Sequence, residues 1–383
     1  MKLLMTADRV GGVWQYATEL AGALAPLGVE TVVAVMGPPS SITVRAEPVQ
    51  APDPGAGARA GSVAGPSTSS GRTEFGDRVS VEIIDTPLPL DWLCASPEPV
   101  RAAAAALADL ARAVGADIVQ LNSPAFAAAA RWPVPVVAVE HGSVAPWWDA
   151  AHPGEPLPAQ FGWHAAMVRD GLLAADAAVA PSASYADAVR RRYGLPRAPV
   201  AIPNGRTPSP LSSAAPASHA FTAGRLWDRV KRTPLLDRVA ALTPIRAAGP
   251  VTASHGETVA CDRLQLLGTL DGSALAAELA GRPVFVSAAS FEPFGLAVLE
   301  AAQAGCPLVL SDIATFRELW DGVAVFVAGD GPADWADAIA RARTGRETLG
   351  EAARTRAARY TPGATAAAMM GVYRTLLDQR VAA

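Results

Sequence analysis

Residues 284–312 read VFVSAASFEPFGLAVLEAAQAGCPLVLSD, from Val284 to Asp312, and their reading sets how the rest of the chain is parsed. Pro283 to Val286 is a short apolar run of strand type. Pro293 suits a first helical turn, and Phe294 to Ala304 repeats apolar residues at helical spacing until Gly305 and Pro307 stop it. A second apolar strand, Leu308 to Leu310, follows at once. The expected strand-helix-strand unit places Glu292 just before a helix N-terminus and Glu300 about two turns along it, with Gly295 permitting close approach of a ligand to the backbone.

These residue types suit a particular ligand. Unpaired amides around Phe294, Gly295 and Leu296 can bind phosphate or sugar oxygens, and the helix dipole favours the negative charge. Ionised Glu292 and Glu300 only accept hydrogen bonds, so their natural partners are hydroxyls. A sugar bearing a diphosphate presents both kinds of group. On spacing alone, a solvated helix face accounts for the two glutamates equally well.

Phe291-Glu292-Pro293-Phe294-Gly295-Leu296, then Glu300-Ala301 and Gly305-Cys306-Pro307, resemble the Glu-x7-Glu donor motif of the retaining family 4 glycosyltransferases of GT-B fold. Both glutamates, the intervening glycine and the closing Gly-x-Pro fall at the family's spacing. The resemblance implies an α/β protein with two Rossmann-like, doubly wound domains facing each other across a cleft. It also implies that Glu292 holds hydroxyls of the transferred sugar and Glu300 the ribose.

A chain of 383 residues, half of them apolar, is long enough for two buried cores. The formal net charge of -4 gives no reason to expect nucleic acid as a partner. No uncharged apolar stretch reaches the length of a membrane span and Met1 leads straight into a strand, so a cytoplasmic location is expected. Cys94, Cys261 and Cys306 lie far apart without a Cys-x-x-Cys pair, which favours reduced structural thiols over a metal site.

Met1 to Met5, a helix from Trp14 to Leu27 and the strand Val29 to Met36 form a βαβ unit. Gly11-Gly12 between them permits close backbone approach, although a tight turn explains them as well. Their position resembles the family's glycine loop, which faces donor phosphate and acceptor. Residues 38–77 turn to Pro, Gly, Ala and Ser and read as a disordered insertion. Pro135 to Glu140 is a buried-strand pattern that delivers His141-Gly142-Ser143 to the same sheet edge. A lone histidine there is more often a local hydrogen-bonding residue than a catalyst, but the resemblance implies a place beside the transferred sugar. Trp147 and Trp148, read as a loop, suit stacking on a sugar or lipid acceptor or packing between domains.

Thr207 to Ser218 reads as an interdomain linker. After the strand Ala220 to Ala223, Gly224-Arg225-Leu226 and Lys231 resemble the family's diphosphate-neutralising cations; without that resemblance they read as surface charge. Ile245 to Leu267 is compressed, with strand-like segments at Pro250-Val251 and Leu264 to Leu267. The following Gly268-Thr269-Leu270 falls where the family's nucleobase loop lies. The expected division, with the roles that the resemblance implies, is 1–206 as an acceptor-side domain, 207–218 as linker, 219–360 as a nucleotide-sugar domain, and 361–383 as a helix crossing back to the first domain.

The function implied is transfer of a hexose from a UDP-, GDP- or ADP-sugar to a sugar, lipid or small-molecule hydroxyl acceptor, with retention of configuration. Arg225, Lys231, Glu292 and His141 would carry the chemistry, and Gly11, Gly12, Leu270, Phe294, Gly295, Leu296 and Glu300 would bind the donor. No Asp-x-Asp motif occurs, and the resemblance implies no metal or other cofactor, the nucleotide-sugar being a co-substrate. Two helical turns would put Glu292 and Glu300 roughly 12 Å apart, too far for the pair of a retaining glycosidase at about 5 Å. A nucleotide-sugar epimerase of the same fold and a non-catalytic nucleotide-sugar-binding protein are the alternatives. Arg190 to Arg192 read as a solvated helix face in preference to a peripheral contact with an anionic membrane.

Overall fold

The computed structural model describes residues 1–8, 11–37, 71–75, 79–253 and 256–382. The chain starts with β1 (Lys2–Asp8), α1 (Gly12–Leu24) and β2 (Glu30–Met36). Five consecutive β1 residues and six of β2 are buried, as expected of parallel strands covered on both faces. Next come β3 (Gly71–Phe75), β4 (Val79–Asp85), α2 (Pro97–Val114), β5 (Ile118–Leu121) and β6 (Val136–Val139). In α2, Val100, Ala103, Ala104, Leu107, Ala108 and Ala111 recur at helical spacing and are buried, and Gly115 ends the helix in the left-handed region at φ 66°. The domain closes with α3 (Val144–Ala151), α4 (Gly162–Ala174), β7 (Ala177–Ala180), α5 (Ala183–Tyr193) and β8 (Val200–Ala201).

The first sheet has the order β3-β4-β2-β1-β5-β6-β7-β8, parallel except for β3, which runs antiparallel to β4. Of the segment 38–77 expected to be a disordered insertion, residues 38–70 and 76–77 lie outside the described residues, whereas Gly71–Phe75 is an edge strand. Gly71–Phe75 falls within the Pro-, Gly-, Ala- and Ser-rich insertion expected from sequence, but it pairs antiparallel with Val79–Ile83, the strand that follows it in sequence. Trp147 and Trp148 sit on α3 and not in a loop.

The second domain contains β9 (Ala220–Ala223), α6 (Thr233–Ala240), β10 (Ile245–Ala248), β11 (Gln265–Leu266), α7 (Gly272–Ala280), β12 (Val284–Ser287), α8 (Leu296–Gln303), β13 (Leu308–Ser311), α9 (Ala314–Trp320) and β14 (Ala324–Val327). Its sheet is wholly parallel, in the order β11-β10-β9-β12-β13-β14. The compressed region resolves differently from expectation at one point: the strand is Ile245–Ala248, and Pro250-Val251 belongs to the turn beyond it. Gly249 makes that turn at φ 130°, packed so closely that an added Cβ would lie 1.8 Å from the Gly224 carbonyl oxygen.

Three helices end the chain: α10 (Pro332–Thr344), α11 (Arg346–Ala357) and α12 (Pro362–Ala382). α12 leaves the second domain and buries Ala366, Met369, Met370, Tyr373 and Leu376 in the first domain's core, alongside Tyr16, Leu20 and Leu24 of α1. Thr365 Oγ1 donates to the Pro203 carbonyl at 2.8 Å. In each sheet the strand order reverses once, between β1 and β5 and between β9 and β12. Open α/β sheets bind ligands at the carboxyl ends of the strands flanking such a reversal.

Candidate active site

The loops leaving β9 and β12 form the second domain's wall. Asp228 organises the first of them. It is 2 % exposed; its Oδ2 accepts from Arg225 Nη2 at 2.9 Å and its Oδ1 from Val230 N at 3.3 Å, which caps a 3-10 turn over Arg229–Lys231. The same Oδ1 accepts from Trp147 Nε1 of α3 at 2.9 Å, so this carboxylate also joins the two domains. Arg225, held at one side, remains 44 % exposed in its side chain. Lys231 emerges from the turn and its Nζ donates to Glu292 Oε2 at 2.5 Å. Two residues singled out 61 positions apart thus form one ion pair.

Glu292 lies off the helix. α8 starts only at Leu296, with Gly295 as its N-cap at φ 95°, so helical rise does not set the distance from Glu292 to Glu300. A side chain at Gly295 would be strained by that φ and would meet Glu292 Cγ at 3.2 Å and Phe316 Cε1 at 3.3 Å. Phe294 is 3 % exposed, packed edge-on against Tyr360, and offers a ligand only its backbone. Leu270, in the loop after β11, is half-buried against the second domain's core. That loop is held beside the β10 exit, Gly249 N donating to the Gly268 carbonyl at 2.8 Å.

Glu300 is already partnered. Its Oε1 accepts from Arg206 Nε at 2.6 Å, and Arg206 Nη1 donates to Glu19 Oε1 of α1 at 2.9 Å. Thr207 Oγ1 completes the group with a 2.6 Å bond to Glu19 Oε2. The sequence reading missed Arg206, Glu19 and Asp228. Only Asp228 carries a local signal, an acidic residue before a turn and three after a basic one; the partners of Arg206 are 94 and 187 positions away.

The first domain supplies the opposite wall. His141 follows β6 and shares a 3.1 Å hydrogen bond between its Nε2 and Asn122 Oδ1. Asn122 Nδ2 donates to the Thr6 carbonyl at 2.6 Å, which identifies Oδ1 as the acceptor and Nε2–H as the histidine's donor. Burial pulls the His141 pKa down to about 4, so the ring is neutral at pH 7. Glu140, 1 % exposed, shapes this loop: its Oε1 accepts from Gly142 N at 3.0 Å, Ser143 N at 2.6 Å and the Tyr185 hydroxyl at 2.7 Å. Burial raises the Glu140 pKa in spite of those bonds.

The walls meet. An added Cβ on Gly11 would lie 3.6 Å from Arg225 Nη1, on Gly12 3.0 Å from Leu296 Cδ1, and on Gly142 3.3 Å from Pro293 Cγ. Ser182 Oγ donates to the Pro293 carbonyl at 2.8 Å, and Glu318 of α9 accepts from Ala183 N and Ser184 N at 2.8 and 2.7 Å, capping α5 across the domain boundary. Gly11, Gly12 and the His141–Gly142 loop of the first domain therefore lie against Arg225 and the Pro293–Leu296 segment of the second, with the Lys231–Glu292 pair beside them.

The chain matches the family description "Glycosyltransferase Family 4" over residues 10–209 and "Glycosyl transferases group 1" over residues 221–344. It belongs to glycosyltransferase family 4. This glycosyltransferase matches no curated protein sequence. Its fold is similar to that of sucrose-phosphate synthase from Thermosynechococcus elongatus, with a TM-score of 0.72 at 17% identity over 99% of this chain and 100% of that one. It is also similar to the catalytic domain of starch synthase IV from Arabidopsis thaliana bound to ADP and acarbose, with a TM-score of 0.67 at 13% identity over 98% and 99% of the two chains. A trehalose-6-phosphate structure from E. coli bound with UDP-2-fluoro glucose gives 0.65 at 13% identity over 97% and 99%. At these identities the likeness establishes the GT-B architecture.

Proposed function

We propose that this glycosyltransferase moves a hexose from a nucleoside-diphosphate sugar to a hydroxyl acceptor with retention of configuration. The observation that carries the proposal is the Arg225, Lys231 and Glu292 group at the β9/β12 reversal, closed over by Gly11-Gly12 and His141. Negative charge grows on the diphosphate as the glycosidic bond breaks. Arg225, Lys231 and the amides at the start of α8 meet that charge, each close ionic contact contributing about 4 kcal/mol at an effective dielectric of about 20 before desolvation is subtracted. Glu292 accepts from hydroxyls of the hexose while its pairing with Lys231 fixes its direction. Neutral His141, with Nε2–H committed to Asn122, offers Nδ1 to another hydroxyl.

Glu300 Oε1 is held by Arg206, so a ribose hydroxyl donates to Oε2. The acceptor attacks from the face the diphosphate leaves, and a phosphate oxygen takes its proton; no protein nucleophile takes part. The acceptor enters beside α3, where Trp147 and Trp148 stand 6.3 Å apart and Trp148 stacks on His152 at 3.8 Å. Arg190 and Arg191 are paired with Asp187 and Arg192 with Asp149, and no helix among the described residues is long and apolar enough to cross a membrane.

The test is thermal stabilisation by UDP, GDP and ADP, on wild type and on Glu300→Ala. A nucleotide at 100 times its Kd adds about 2.7 kcal/mol. Stabilisation by one nucleotide series, lost in the variant, is the expected result; a folded protein stabilised by none of them removes the donor assignment. The anomeric configuration of the transferred sugar, read by NMR, tests retention.

A further inference from the structure

The second domain carries a cluster of basic side chains at the amino ends of its strands, the edge opposite the cleft. His219 immediately precedes β9, Arg246 lies in β10, Glu278 on α7, Arg343 near the end of α10, and Arg346 opens α11. Arg246 Nη1 stands 2.7 Å from Glu278 Oε2 and His219 Nε2 stands 3.7 Å from the same oxygen. Arg343 Nη2 donates to Thr243 Oγ1 at 3.3 Å, and Arg346 Nη2 donates to the Ala217 carbonyl at the end of the linker. The one carboxylate of the group, Glu278, is shared by Arg246 and His219, whereas Arg343 and Arg346 meet only neutral oxygens.

The donors are under-used. The Nε atoms of Arg246, Arg343 and Arg346 are buried without a hydrogen-bond acceptor, and His219 Nε2 and Glu278 Oε2, 3.7 Å apart, likewise make no hydrogen bond. Buried donors are normally paired, and a single carboxylate leaves these three guanidinium Nε–H groups, on half-buried residues still open to solvent, short of acceptor oxygens. The guanidinium groups are close enough to be felt electrostatically: after burial itself, Arg246 is the largest influence lowering the His219 pKa, with Arg343 and Arg346 adding to it and Glu278 opposing. The amino end of α11, which has no side-chain cap, directs its positive pole into the same region.

We propose that His219, Arg246, Arg343 and Arg346 form a binding site for a phosphate-class anion, either inorganic phosphate or the phosphoryl group of a small metabolite, distinct from the catalytic cleft. A tetrahedral oxyanion can take donors from several planar guanidinium forks at once, which a single carboxylate cannot. Glu278 competes with such an anion for Arg246 and His219. Because Arg346 also grips Ala217, an anion here ties the end of the interdomain linker to the turn between α10 and α11.

The experiment is thermal unfolding of the full chain against increasing inorganic phosphate, and separately glucose 6-phosphate, with potassium chloride holding ionic strength constant. Wild type, Arg343→Gln, Glu278→Gln and Arg225→Ala are compared. Saturable stabilisation is expected in wild type and in Arg225→Ala, with apparent affinity at least tenfold weaker in Arg343→Gln and several-fold tighter in Glu278→Gln. The opposite signs of the last two guard against a variant that merely folds poorly. Tighter binding of glucose 6-phosphate than of phosphate assigns the site to a phosphorylated metabolite, and the reverse order to free phosphate. Equal stabilisation of wild type and Arg343→Gln, as a general salting effect would produce, or dependence on Arg225, would overturn the proposal.

Discussion

His141 donates through Nε2 to Asn122, and burial holds its pKa near 4 against an ordinary value of 6.5. Between those values the unfolded chain binds more protons than the folded one, so the histidine's contribution is present above pH 6.5 and is lost as pH falls toward 4. Glu140 works in the other direction, since its raised pKa favours the folded state at low pH. Comparing wild type with His141→Gln isolates the histidine. Urea unfolding at pH 6.5 and 4.5 should show wild type losing about 2 kcal/mol more than the variant over that interval, and equal losses would refute the neutral, desolvated ring. His141, Lys231, Arg225 and Glu292 follow the carboxyl ends of strands, but their residue types alone read equally well as surface charge or local hydrogen bonding, and it was their spacing in a family motif that made them legible. Asn122, Arg206 and Glu19 were not, because their roles come from partners that only folding brings near.

The decisive elements are α8 and the loop before α1, which touch across the cleft. Pro293 suggested an earlier helix start, but the positive φ of Gly295 stops the helical backbone there and leaves Glu292 on the loop, free to turn toward Lys231. On the other side Gly12, unlike Gly11, has no left-handed φ, so a side chain there introduces little backbone strain. Its Cβ would nevertheless lie 3.0 Å from Leu296 Cδ1. Gly12→Val should therefore prop the cleft open, lowering kcat/KM by about tenfold or more, equivalent to at least about 1.4 kcal/mol of barrier, with the melting temperature nearly unchanged. Adding Leu296→Ala should restore part of the activity. A variant as active as wild type would show that the two loops need not meet during turnover.

At the scale of the molecule, α12 belongs to the second half of the chain but packs in the first domain's core. Met369 is fully buried there. Met369→Ala should cost about 2–5 kcal/mol, and the loss should appear in the melting of the first domain, followed by hydrogen exchange in β1 and α1. Unfolding confined to the second domain would contradict this packing. The same crossing, together with Trp147–Asp228 and Glu318 capping α5, makes the cleft a property of the whole chain.

Several features follow from the sequence alone: the buried parallel-type strands, the amphipathic helices between them, the glycine turns and the strand-end position of the Glu-x7-Glu segment. These rest on local physics, since apolar runs, helical periodicity and glycine conformation act within a few residues; the facing of two domains and the helix that returns to the first came from the family resemblance. Tertiary structure alone decided that Asp228 would join Arg225 to Trp147 and that Arg206 would link Glu19 to Glu300. Each depends on a group 81 or more positions away, whose electrostatic and hydrogen-bonding energy exists only once the cores have packed and excluded water between them.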